Sequence, residues 1–110
     1  MPFEQCFPRQ LNAGSVHAYA PAASGVYGIS NAREWIYIGE TGNIQGALLT
    51  HLVDRETAAM KLRPTGFVYE ICDAERRPAR RGQLVGEYGP ACNREAPPPG
   101  HRMKPDSGSR

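Results

Sequence analysis

Two short runs rich in β-branched and aromatic residues, Gly25-Val26-Tyr27-Gly28-Ile29-Ser30 and Glu34-Trp35-Ile36-Tyr37-Ile38-Gly39, are separated only by Asn31, Ala32 and Arg33. Such residues favour extended backbone, and a short polar break between two runs of this kind is the composition of a β-hairpin loop. With the turn centred on Ala32, paired positions sum to 64, so Tyr27 is expected directly across from Tyr37 with both phenols on one face. Strand alternation puts Trp35 on that same face, as packing.

The remainder of the chain predicts a compact set of elements around this hairpin. Asn43 is a good N-cap for a helix through Ile44, Leu48 and Leu52, which Gly46 weakens by about 1 kcal/mol relative to alanine. Asp54 is placed to cap a short helix near Glu56–Leu62 that Pro64 and Gly66 end. In Phe67–Cys72 the residues Phe67, Tyr69 and Ile71 alternate with Val68, Glu70 and Cys72, the period of a third strand. A last helix is expected from about Pro78 to Tyr88, stopped by Gly89 and Pro90. Its inward stripe is Leu84, Val85 and Tyr88, and the same stripe carries Arg81.

The ends read differently. Residues 1–24 hold Pro2, Pro8 and Pro21 with weak periodicity, an irregular lead-in that packs Phe3 and Phe7 onto the domain. Residues 94–110, with Pro97, Pro98, Pro99 and Gly100, have too little apolar surface to offset ordering entropy and are expected to be disordered. The 110 residues therefore hold one domain, residues 25–93.

Composition narrows the function classes. Thirteen Lys plus Arg against eleven Asp plus Glu give a net charge of +2, so only local clustering of cations argues for an anionic partner. Cys6, Cys72 and Cys92 are odd in number and widely spaced, which argues against a disulfide framework or a cysteine zinc site. There is no signal-peptide pattern and no apolar run near the roughly 20 residues that span a bilayer, so a cytoplasmic location without membrane association is expected. Clustering does occur at the start of the last helix: Arg76 with Arg80, and Arg77 with Arg81, are helical neighbours suited to a phosphate backbone, although Asp73 and Glu75 flank them.

Gly25-Val26-Tyr27 and Tyr37-Ile38-Gly39, followed by Thr41, Asn43 and His51 and closed by Glu87-Tyr88-Gly89-Pro90-Ala91-Cys92-Asn93, resemble the GIY-YIG nuclease domain over about Gly25 to Asn93. The resemblance implies a small α/β fold with a three-stranded, mostly antiparallel sheet flanked by helices. It implies phosphodiester hydrolysis with one divalent metal, a tyrosine of the first motif acting in the general base, an arginine on the first helix and a metal-binding glutamate on the last. A phenol, with its pKa near about 10, needs such cationic help to act as a base at neutral pH. Tyr27, Tyr37, His51 and Asn93 fall on the family's motif positions. The family arginine falls ten residues after Tyr37, where this chain has Ala47, and the family glutamate twelve before Asn93, where it has Arg81. A guanidinium carries a fixed positive charge and repels a divalent ion.

The leading expectation is thus a degenerate domain of this type: a fold kept, catalysis impaired, and a pocket of Tyr27, Tyr37, His51 and Arg81, with Arg76, Arg77, Arg80 and Asn93, that binds DNA or another phosphate-bearing ligand without a metal. One alternative is an active Mg²⁺- or Mn²⁺-dependent endonuclease whose acid has moved to Glu40, Glu70 or Glu75. The other is a protein-interaction module marked by an exposed apolar surface.

Overall fold

The computed structural model describes residue 3, residues 8–54 and residues 56–95; of residues 94 and 95 it describes the backbone. The expected disordered tail and the packing of Phe7 lie outside the described residues. In chain order the elements are β1 (Arg9–Gln10), α1 (Ala13–Tyr19), β2 (Gly25–Ser30), β3 (Trp35–Thr41), α2 (Ile44–Val53), α3 (Ala58–Lys61), β4 (Gly66–Ile71), α4 (Arg77–Tyr88) and α5 (Ala91–Glu95). The strands form one antiparallel sheet in the order β1-β4-β2-β3.

The sheet has four strands where three were expected, and the lead-in is more regular than its prolines imply. Arg9 and Gln10 pair with Phe67 and Gly66 of β4, and Leu11 N–H donates to the Thr65 carbonyl at 2.9 Å. Asn12 then caps α1, its side chain accepting from Ser15 N–H at 2.8 Å. A two-residue strand has no period to detect, and α1 buries only Val16 within its seven residues, too little for an amphipathic pattern.

The hairpin forms, with a different register. Asn31 closes a longer loop: its Oδ1 accepts from the N–H groups of Arg33 and Glu34, and its own N–H donates to the Glu34 carbonyl. Ser30 then pairs with Trp35 but Ile29 with Tyr37, which leaves Ile36 as the extra residue of a bulge. Tyr27 consequently pairs with Gly39 rather than Tyr37. The two-residue shift preserves the shared face of the tyrosines, which meet diagonally with ring centroids 6.1 Å apart. The bulge also reverses Trp35, which leaves the Tyr37 face and packs against Phe3 and Tyr88, the latter at 4.6 Å between centroids.

Two cores sandwich the sheet. On one face Tyr27, Ile29, Ile36 and Phe67 meet Val16 of α1, Ile44 and Leu48 of α2 and Ala59 of α3. On the other, Val26, Ile38 and Val68 meet Phe3 and Leu84 of α4, with Val85 and Tyr88 alongside as the sequence stripe predicts. Asn43 caps α2 through a bond from Gly46 N–H at 2.9 Å, and a Cβ at Gly46 would stand 3.0 Å from the Asn43 amide nitrogen. Thr57 rather than Asp54 caps α3. Among the described residues no helix is long and apolar enough to cross a membrane.

Candidate functional site

Three elements deliver the aromatic cluster that the motif spacing singles out. Tyr27 comes from the central strand β2, Tyr37 from the edge strand β3, and His51 from the last turn of α2. The Tyr27 hydroxyl lies 3.0 Å from His51 Nε2. The His51 ring stands 5.7 Å from Tyr27 and 5.6 Å from Tyr37, centroid to centroid, so the three rings form one contiguous group. Space for it depends on Gly39: a Cβ there would meet the Tyr27 hydroxyl and Tyr37 Cε2 each at 2.7 Å, closer than any real side chain sits.

Burial sets the protonation states. Tyr27 is only 5% exposed, and desolvation, reinforced by Tyr37, pushes its phenol well above the usual range, with Arg81 acting in the opposite sense. Burial lowers the His51 pKa below its ordinary value, partly offset by Asp54. At neutral pH the pair is therefore a protonated phenol beside an uncharged imidazole, and in the Nδ1–H tautomer the hydroxyl donates to Nε2.

Position 47, where the resemblance places an arginine, carries Ala47, which packs against the core that contains Tyr27. Arg81 extends from α4, the helix over the opposite sheet face, and is half-buried within electrostatic reach of the Tyr27 hydroxyl. Among the described residues the Arg81 side chain makes no hydrogen bond and no ion pair.

The other arginines separate from it. Arg80 grips Glu70 with both arms of its guanidinium, Nε to Oε2 at 2.7 Å and Nη2 to Oε1 at 2.8 Å, while Nη1 donates to Gln83 at 2.7 Å. Arg77 donates from Nη1 to Ser24 Oγ at 3.1 Å, and its Nε stands 3.5 Å from Glu40 Oε1, an ion-pair contact without hydrogen-bond geometry. Arg76 is exposed at the start of α4, its backbone N–H bound to the Asp73 carboxylate. The four-arginine tract expected to face a ligand is thus partly neutralised by acids that lie distant in sequence.

Asn93 stands on α5 against the outer edge of β3. Its Oδ1 accepts from Ile38 N–H at 2.8 Å and its Nδ2 donates to the Ile38 carbonyl at 3.0 Å. The amide closes the outer edge of β3 and fastens α5 to the strand between Tyr37 and Gly39, a structural clip. Sequence reasoning held no signal for this use, because an asparagine that binds backbone and one that binds a ligand have the same spacing.

Among the described residues no group of three His, Cys, Asp or Glu side chains stands together to hold a metal ion. Glu40 and Glu70 are held by arginines on the α4 side of the sheet, opposite Tyr27 by strand alternation, and Glu75 is exposed in the turn before α4.

No protein-family model and no curated protein matches this chain. Among solved structures the fold is similar to the GIY-YIG N-terminal endonuclease domain of UvrC from Thermotoga maritima. An asparagine-to-alanine mutant of that domain bound to its catalytic divalent cation gives a TM-score of 0.58 at 18% identity, covering 68% of this chain and 90% of the other. A tyrosine-to-phenylalanine mutant gives 0.58 at 17%, covering 68% and 91%. The magnesium-bound form gives 0.56 at 22%, again over 68% and 91%. The likeness establishes the fold: a small α/β domain of GIY-YIG type, its antiparallel sheet flanked by helices.

Proposed function

We propose that this domain binds nucleic acid, or another ligand bearing phosphate, at the Tyr27–Tyr37–His51 cluster and Arg81, and that metal-dependent hydrolysis is lost or severely reduced. The observation that carries the reading is Arg81 itself: a half-buried guanidinium, unpaired among the described residues, within electrostatic reach of the buried Tyr27–His51 pair. Such a group holds a phosphate oxygen well and opposes a divalent cation. Ala47 supports the same reading: α2 carries no arginine near Tyr27, and the lowering effect of Arg81 does not offset the burial that raises the Tyr27 pKa. The relocated-acid alternative gains no support from Glu40 and Glu70, whose carboxylates are engaged by Arg77 and Arg80.

The test pairs two assays on the full chain. A labelled DNA duplex should bind with an affinity that falls as salt rises and falls again in Arg81→Ala. Supercoiled plasmid should stay intact with Mg²⁺ or Mn²⁺. Metal-dependent nicking abolished by Tyr27→Phe would overturn the loss of catalysis, and binding indifferent to Arg81→Ala would overturn the assignment of the site.

A further inference from the structure

The end of the sheet remote from α4's first turn carries a second set of cations that the candidate site does not use. Two adjoining grooves of about 390 and about 310 Å³ share Pro8, Ser30, Asn31 and Ala32, where the hairpin loop meets the start of β4. Arg9 lines the first and Arg33 the second. The Arg9 guanidinium lies 3.9 Å over the Tyr19 ring, and its Nε is buried with no hydrogen-bond partner among the described residues. A cationic N–H withdrawn from water without an acceptor is costly, and a phosphate oxygen is the acceptor a guanidinium matches best.

Neighbouring loops add charge from a different part of the chain. Asn31 Nδ2 donates to the Leu62 carbonyl at 3.0 Å, tying the hairpin loop to the segment that carries Lys61 and Arg63, both exposed. Arg63 holds a left-handed backbone, φ 58°, with its N–H bound to the Met60 carbonyl at 3.1 Å. Neither Arg33, Lys61 nor Arg63 makes a side-chain ion pair among the described residues, and Glu34 is the single carboxylate among the groove-lining residues.

We infer that the hairpin end, built from Arg9, Arg33, Lys61 and Arg63, is a second contact surface for the phosphate backbone of the nucleic-acid strand that also reaches Arg81. The inference rests on the nucleic-acid reading above and extends it to a site outside the family motif. Arg9 of β1, Arg33 of the hairpin loop, and Lys61 and Arg63 at and just beyond the end of α3, with Glu34 the one carboxylate lining the grooves, make a sequence-independent contact whose strength falls with salt. Trp35, the chain's single tryptophan, lines the second groove and reports on its occupancy.

The experiment measures anisotropy of a short fluorescein-labelled DNA duplex against salt concentration for wild type, Arg81→Ala and the double variant Arg33→Gln with Arg63→Asn. Asparagine tolerates the left-handed backbone at position 63, so the double variant is expected to melt like wild type. The expected result is that it lowers the slope of log affinity against log salt by about 2, near one unit for each phosphate no longer neutralised, and abolishes the Trp35 fluorescence change on binding. Binding by wild type that weakens in Arg81→Ala but keeps its full slope in the double variant overturns this inference alone. Loss of slope in the double variant with no effect of Arg81→Ala upholds the phosphate contact at the hairpin end and overturns both the Arg81 site and the claim that one strand reaches the two. No binding by wild type overturns both.

Discussion

The two ends of the sheet carry similar numbers of arginines in opposite electrostatic states. At the start of α4, Arg80 is locked to Glu70 by paired hydrogen bonds and Arg77 is held by Ser24 and Glu40, which leaves Arg81 and the exposed Arg76 outside the ion pairs. At the hairpin end, Arg9 stacks on Tyr19 and Arg33 and Arg63 face solvent with no acid paired to them among the described residues. A run of arginines in sequence is therefore a poor guide to a binding face. Charge available to a ligand is what remains after long-range pairing, and here that pairing removes much of the conspicuous cluster and leaves the dispersed one intact.

The largest expected effect that separates the ends is on stability. Arg80→Ala strands a carboxylate that is 15% exposed, and the loss of two charge-assisted hydrogen bonds should lower unfolding free energy by about 2 to 3 kcal/mol in urea titration while the salt slope of DNA binding holds. The opposite outcome, a normal melt with a reduced slope, would erase the distinction between the ends.

Asn93→Ala should follow at about 1 to 3 kcal/mol, since it leaves the Ile38 N–H and carbonyl without partners on the strand edge. If Asn93 is a clip rather than a ligand-binding group, DNA affinity measured well below the melting temperature should change little. A loss of affinity in a fully folded Asn93→Ala protein would return it to the binding surface.

The smallest effect is the pH dependence of His51. Its folded pKa lies below the ordinary 6.5 because of burial, so the unfolded chain binds the proton more readily. Its contribution to stability is present above pH 6.5 and is lost as pH falls from there through the lower folded value. Thermal melts should show a drop between neutral pH and pH 5 that flattens in His51→Gln. An unchanged profile in that variant would place the titration elsewhere.

The parts of this fold that were legible in the sequence are those whose signals are local. The two strands of the hairpin, the Asn43 cap of α2, the alternation of Phe67 to Cys72 and the inward stripe of α4 each depend on residues a few positions apart. The hairpin register was not legible, because it turns on a side-chain hydrogen bond of Asn31 and on one bulged residue, Ile36, and that single insertion also moved Trp35 to the other face. β1 and α1 escaped because Arg9 and Gln10 become a strand only when β4 is beside them. Within the site, the spacing of Tyr27, Tyr37 and His51 was visible, and the structure joins them. What Glu70 does to Arg80, or Ile38 to Asn93, spans 10 and 55 positions and has no sequence pattern of its own.

The most direct measurement is a crystal of this protein soaked in Mn²⁺ and examined by anomalous scattering. With Arg81 within electrostatic reach of Tyr27, and Glu40 and Glu70 held by arginines, no ion should be ordered next to α4. An anomalous peak there, coordinated by carboxylates and close to the Tyr27 hydroxyl, would contradict the loss of the metal site and reopen the chain as an active nuclease.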